Sequence, residues 1–353
     1  MTTTLLDGIR VRTVQTPRLR ANVLERPSKG SGPTLVFVHG NVSSSLFWQP
    51  SMLALPADVR ALAIDLRGFG DSETLPVDAT RGLSDFADDV WSVLDELDES
   101  RVHLVGWSMG GGVVLQLLLD RATSVASITL VSPVSPYGFG GTAGNDGRVL
   151  TLDNAGTGAA GVNADFVERL ADGDRSADEP TSPRSVFRSS YVAAGYQSDL
   201  EDVWVESMLT TKTGVDNYPG DSRPSENWPG VGPGSHGVLN TMVPKYLNLS
   251  GITAAEPKPP ILWVRGENDA IVSDGSYFDL NMLGQAGVLP GWPGAEIAPP
   301  QPMVSQTRQV LEHYRDAGGM FRELAIPDCG HSPHLEYEEI FASALASFVT
   351  VAS

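Results

Sequence analysis

A single cysteine, Cys329, stands among 353 residues, so no disulfide within the chain can staple the fold. Basic residues are scarce as well: Lys and Arg total 24 against 43 Asp and Glu, a formal net charge of −19. Such a surface repels phosphate backbones and anionic lipid headgroups, which argues against nucleic acid and membrane partners. A neutral or weakly polar small molecule remains compatible. Also missing is any uncharged apolar run of about 18 residues, the length a membrane-crossing helix needs. Residues 1–12 contain no apolar stretch of the secretory kind. The expectation is a soluble, cytoplasmic chain. Lysine is confined to Lys29, Lys212, Lys245 and Lys258, a bias toward arginine that carries no functional message. What is plentiful is hydrophobic residues, at 41%, enough to bury one large core or two small ones.

Periodicity then divides the chain. Residues 9–14 and 19–25 alternate apolar and polar side chains around Thr16-Pro17, which predicts an antiparallel hairpin. Residues 34–38, 59–64, 102–105 and 126–131 are short continuous apolar runs, the pattern of strands buried on both faces. Between them, residues 83–97 place Phe86, Val90, Val93, Leu94 and Leu97 on one helical face, opposite Asp85, Asp88, Asp89 and Glu96. Residues 109–119 read as an apolar helix. Strands follow at 261–264 and 321–326, with helical spacing at 304–317 and again at 340–349. Strands alternating with helices imply an α/β fold: a mostly parallel central sheet led by an antiparallel hairpin, with helices on both faces.

Two stretches break this rhythm. Residues 135–258 show no alternation but carry aromatic anchors such as Phe166, Tyr191, Trp204 and Tyr218, which favours an ordered insertion over a linker. Within it, the Gly, Pro and Asn content of residues 217–237 predicts irregular coil. Residues 270–302 hold Pro290, Pro293, Pro299, Pro300 and Pro302 and read as one long shaped loop. The domain expectation is a core of residues 1–134 and 259–353 with a cap of residues 135–258.

The chemistry centres on Gly106-Trp107-Ser108-Met109-Gly110, placed directly after a predicted strand and before a predicted helix. A serine on so sharp a turn is strained, and its neighbours must lack bulk. Ser108 then presents its hydroxyl above the sheet, and the Met109 amide points at any adjacent oxyanion. Alone, the pentapeptide also fits a glycine-rich helix start that merely packs tightly. A serine nucleophile needs a histidine base, itself oriented by a carboxylate. His103 lies in a buried strand, His236 in coil and His313 on a helix face. His331 instead occupies a loop after the last strand, on the same sheet edge as Ser108. The carboxylate expected is Asp269, just past the strand at 261–264, with Glu267 and Asp274 as local rivals.

On these motifs the chain resembles the α/β-hydrolase-fold serine hydrolases, esterase-like or lactonase-like, with an enlarged cap. The resemblance covers residues 30–132 and 260–349. His39-Gly40-Asn41 resembles the family's oxyanion segment, which implies Asn41 as a partner of Met109 in the oxyanion hole. Asp65 to Ser72 resembles the turn after the following strand, residues 106–112 the elbow of esterases and perhydrolase-like members, and Gly330-His331-Ser332 the terminal histidine loop. Residues 39–45 also resemble the opening of haloalkane dehalogenases. Those enzymes need a carboxylate nucleophile where this chain has Ser108, which disfavours dehalogenation.

The resulting expectation is a serine hydrolase cleaving a carboxylic ester or lactone of a small, bulky or apolar molecule through Ser108, His331 and Asp269. The same triad also suits an amide, a carbon-carbon bond or perhydrolysis, and a non-catalytic receptor on the same fold is a further alternative. Trp48, Trp107, Tyr137 and Phe139 are expected in the pocket. No cofactor is expected. His334 with His331 lacks a third ligand, so no metal is expected there. Cys329 reads as an inert buried thiol, and Arg67 and Asp71 as braces of their turn. The acidic run at 172–179 reads as a solvated face, with calcium left open.

Overall fold

The computed structural model describes residues 4–352; residues 1–3, the start of the stretch inspected for a secretory signal, and Ser353 lie outside the described residues. Eight strands make one sheet: β1 (Arg10–Gln15), β2 (Arg20–Arg26), β3 (Thr34–Val38), β4 (Arg60–Ile64), β5 (Val102–Trp107), β6 (Val125–Val131), β7 (Ile261–Gly266) and β8 (Phe321–Ile326). Their order is β1-β2-β4-β3-β5-β6-β7-β8. The hairpin β1–β2 is antiparallel and joins β4 antiparallel, while every pairing from β4 to β8 is parallel. β5 and β6 are buried at every residue, which is why they read as unbroken apolar runs. β1 lies at the sheet edge and is exposed except at Val14, so it carries no continuous apolar run.

Helices α1 (Ser84–Glu96) and α2 (Met109–Asp120) pack together, and α2 lies on β5. Later in the chain come α3 (Ala164–Asp172), α4 (Glu201–Leu209), α5 (Leu280–Gln285), α6 (Met303–Asp316), α7 (Pro333–Glu336) and α8 (Glu338–Ala352). α8 covers β6 and β7, and α6 covers β8. No helix among the described residues is long and apolar enough to cross a membrane.

Three expectations need correction. The stretch at 217–237 is not plain coil: Tyr218–Pro219 pairs with Thr213–Gly214, and Ser222–Pro224 with Val231–Pro233. These strands of two or three residues are too short to impose a period on the sequence. The loop at 270–302 contains α5, started by Asp279, whose carboxylate accepts the Asn281 amide at 3.0 Å. Six residues followed by a proline-rich stretch give too little repeat to read. Arg67 braces its turn by pairing with Asp89 of α1, at 2.6 and 2.7 Å, whereas the Asp71 amide donates to Asp65. In the acidic run, Asp174 and Glu179 pair with Arg169 of α3.

Candidate active site

Ser108 joins the end of β5 to the first turn of α2 with φ 56° and ψ −120°. That conformation is strained for any residue with a Cβ. Three backbone bonds hold it: Ser108 N to Val131 O at 2.9 Å, Val134 N to Ser108 O at 3.0 Å and Gly111 N to Ser108 O at 2.9 Å. The neighbours must be glycine because the backbones touch. A Cβ on Gly106 would collide with the Gly110 carbonyl, and one on Gly110 with the carbonyls of Val38 and His39.

Asp269 follows β7 and turns its carboxylate inward. Its Oδ1 accepts the amides of Ile271 and Val272 at 2.8 and 2.9 Å, and its Oδ2 meets His331 Nδ1 at 2.8 Å. Both side chains are buried. Neither rival makes this contact: Glu267 is exposed, and Asp274 accepts from the amide and hydroxyl of Ser305. The loop carrying His331 is pinned by Glu336, whose carboxylate accepts the amides of Gly330 at 3.0 Å, Ser332 at 3.3 Å and Ala193 at 2.7 Å. Burial raises the Glu336 pKa, and those amides oppose the rise.

Ser108 and His331 line one cavity of about 440 Å³. No hydrogen bond joins Ser108 Oγ to His331 Nε2 among the described residues. Catalytic bonds of this kind are commonly long before substrate binds and tighten in the Michaelis complex.

Asn41 and Val42, in the segment after β3, line the same cavity. His39 Nε2 accepts the Leu66 amide at 3.0 Å, so its proton sits on Nδ1, which donates to Gly40 O at 2.7 Å. Burial holds this histidine below its usual pKa, and it stays neutral. A Cβ on Gly40 would stand 2.9 Å from that of Ser108, which shows how closely segment and elbow approach. The Tyr191 hydroxyl donates to Asn41 O at 3.0 Å and to Val42 O at 3.3 Å, holding Val42 at φ 46°. The amides of Asn41 and Met109 donate to no protein acceptor among the described residues. Asn41 Oδ1 is buried without a partner.

Of the four expected pocket rings, Trp107 and Phe139 line the cavity. Trp48 and Tyr137 do not. Trp48 ends a short 3-10 helix that turns it toward Phe37 and His334, at centroid distances of 5.1 and 4.4 Å. Tyr137 lies against Gly147 and reaches Ser250 with its hydroxyl. His334 is sealed between Trp48 and Trp107, with both ring nitrogens unpartnered. Cys329 is buried beside Glu336. The walls unforeseen as such come from Phe166, Tyr218 and Met242 in the insertion and from Val272, Phe278 and Leu283 after Asp269. The apolar pair Ile271-Val272 directly behind the carboxylate was a usable signal for the last group.

A strained serine between a buried parallel strand and a helix, on the edge that also carries a buried His–Asp pair, defines a class of proteins. The chain belongs to the alpha/beta hydrolase fold family, whose model matches residues 33–281. Carboxylesterase YbfK of Bacillus subtilis is 30% identical over 105 residues, 30% of this chain and 35% of that protein. The 2-(acetamidomethylene)succinate hydrolase of Mesorhizobium japonicum is 23% identical over 262 residues, 74% of this chain and 79% of that protein. Three curated relatives, the carboxylesterase among them, are matched over only 32% to 47% of their own length. Among solved structures, esterase RhEst1 from Rhodococcus sp. ECU1013 superposes with a TM-score of 0.56 at 19% identity, covering 98% of this chain and 100% of that one. Carboxylesterase CesB (YbfK) from Bacillus subtilis gives 0.58 at 17%, covering 97% and 91%. At such identities the likeness is one of fold.

Proposed function

We propose that the chain is a serine hydrolase that cleaves a carboxylic ester or lactone of a small, bulky or apolar molecule. The observation that carries this reading is the strained Ser108 opening into the same cavity as the His331–Asp269 pair. With Nδ1 occupied by Asp269, His331 has Nε2 free to take the Ser108 proton as Oγ attacks the carbonyl carbon. Asp269 fixes that tautomer and stabilises the imidazolium. The unspent amides of Asn41 and Met109 receive the tetrahedral oxyanion, a contribution of about 3 kcal/mol per donor in comparable sites. His331 returns the proton to the leaving alkoxide, and a water activated by the same nitrogen then releases the acyl group.

Residues 135–258 act in this scheme as a cap that walls the cavity with Phe139, Phe166 and Met242 and excludes bulk water. The scheme needs no cofactor. A cytoplasmic setting belongs to the same proposal and is supported by the single unpaired thiol. A fluorophosphonate probe should label Ser108, and Ser108→Ala should lower kcat/KM on esters by about 10³ or more. Unchanged turnover by the variant would remove the assignment. A panel of esters, lactones and amides then identifies the bond.

A further inference from the structure

We infer that Tyr218 is a specificity-determining residue whose phenol donates a hydrogen bond to a second substrate oxygen, one set apart from the scissile carbonyl. The inference rests on the ester-hydrolase reading and narrows its substrate class. The preferred ester carries a hydrogen-bond-accepting oxygen in the part that fills the cavity, rather than a plain hydrocarbon chain.

The cavity wall leads to this residue by elimination. Most of its buried polar side chains are spent on the protein. Thr157 Oγ1 donates to Asn154 O at 2.8 Å, Tyr191 holds Asn41 and Val42, and Asp279 accepts the amides of Asn281 and Gln301 at 3.0 and 2.8 Å. Ser108, His331 and Asn41 belong to the reacting centre. Tyr218 is what remains: 4% exposed, lining the cavity, with a hydroxyl that makes no hydrogen bond among the described residues.

Its position is set in advance. The Tyr218 amide donates to Lys212 O at 3.0 Å, the Val238 amide to Asn217 O at 2.8 Å, and the ring stands edge-on to Phe166 at 6.4 Å. A phenol held this way loses little freedom when a ligand meets it. Burial pushes its pKa up, so the group stays protonated and remains a donor at any physiological pH. A ligand methylene packed on this hydroxyl would strip it of water and leave it unpaired at a cost, whereas an ether, keto or hydroxyl oxygen satisfies it. Sites built to bond a substrate oxygen reject the analogue that lacks it.

The test replaces one methylene by oxygen. p-Nitrophenyl heptanoate is compared with esters of equal chain length bearing an ether oxygen at successive positions, such as the 5-methoxypentanoate, in the wild-type chain and in Tyr218→Phe. One oxygen position should be favoured over heptanoate by about tenfold in kcat/KM in the wild type, and the ratio should fall to about one in the variant. The wild-type ratio by itself needs no variant to fold. A wild type indifferent to every oxygen position, or a ratio that survives in Tyr218→Phe, overturns the inference. Matched p-nitrophenyl phosphonates, read by mass spectrometry at Ser108, separate the two levels. Absence of label removes the ester-hydrolase reading. Labelling at equal rates with and without the oxygen removes only the role of Tyr218.

Discussion

The Trp107 indole donates through Nε1 to the carbonyl oxygen of His331 at 2.8 Å, tying the residue before the strained serine to a loop 224 positions further along the chain. One bond thus sets the distance between the elbow and the histidine backbone. Trp107→Phe keeps a ring beside Phe47 and Tyr191, at 5.1 and 5.7 Å, and loses the donor together with part of the indole volume. Its kcat on a p-nitrophenyl ester should fall about tenfold, by more than KM rises, because alignment of the histidine loop is lost beyond the trimmed cavity wall. A rise in KM alone would contradict this role.

Asp269→Asn should lower kcat by about 10⁴. The carboxamide oxygen can still receive the Ile271 and Val272 amides, so the thermal midpoint should move little, while the charge opposite His331 Nδ1 is gone. Steady-state kinetics beside a circular-dichroism melt checks both halves. A loss below tenfold would show that another group orients His331.

Tyr191→Phe releases the carbonyls of Asn41 and Val42 and lets Val42 leave its positive φ. The amide of Asn41 then loses its fixed direction. Ester kcat and the rate of fluorophosphonate labelling should fall together, by about tenfold, since each passes through an oxyanion at the same place. If labelling keeps its rate while kcat drops, the hydroxyl acts on a later step.

His334, His39 and His103 are buried histidines held below their usual pKa by desolvation, His103 down to about 4. Unfolded, each binds a proton near 6.5 that the folded chain refuses, so their stabilising effect is complete above that pH and is lost as pH falls below it. Each proton adds a slope of up to about 1.4 kcal/mol per pH unit. His334→Phe keeps an aromatic ring between Trp48 and Trp107 and removes one such proton. The drop in melting temperature between about pH 7.5 and about pH 5 should therefore be smaller in the variant than in the wild type. Equal drops would place the acid sensitivity elsewhere.

Legibility followed the range of the physical cause. The elbow could be read because its requirements are local: a strained residue, small neighbours two positions away, a strand before and a helix after. The sheet could be read because β5 and β6, buried on both faces, are continuous apolar runs. Trp48 and Tyr137 were misplaced because a large ring serves a core and a pocket equally well, and only the turn of the backbone decides between them. Tyr218 was visible as an anchor of the insertion, but nothing in its neighbours revealed an unspent hydroxyl. That property depends on which partners fail to arrive.

From the sequence alone follow the alternation of strands and helices and the placement of Ser108, Asp269 and His331 past the ends of β5, β7 and β8. Those features arise from period, chain reversal and backbone strain, each confined to a few consecutive residues. The tertiary structure alone decided that Asp269 and not Glu267 or Asp274 meets His331, that Trp107 grips the histidine loop, and which rings face the cavity. These outcomes rest on contacts between residues 62 to 224 positions apart. Such contacts are chosen by the packing of whole elements, and no local pattern carries them.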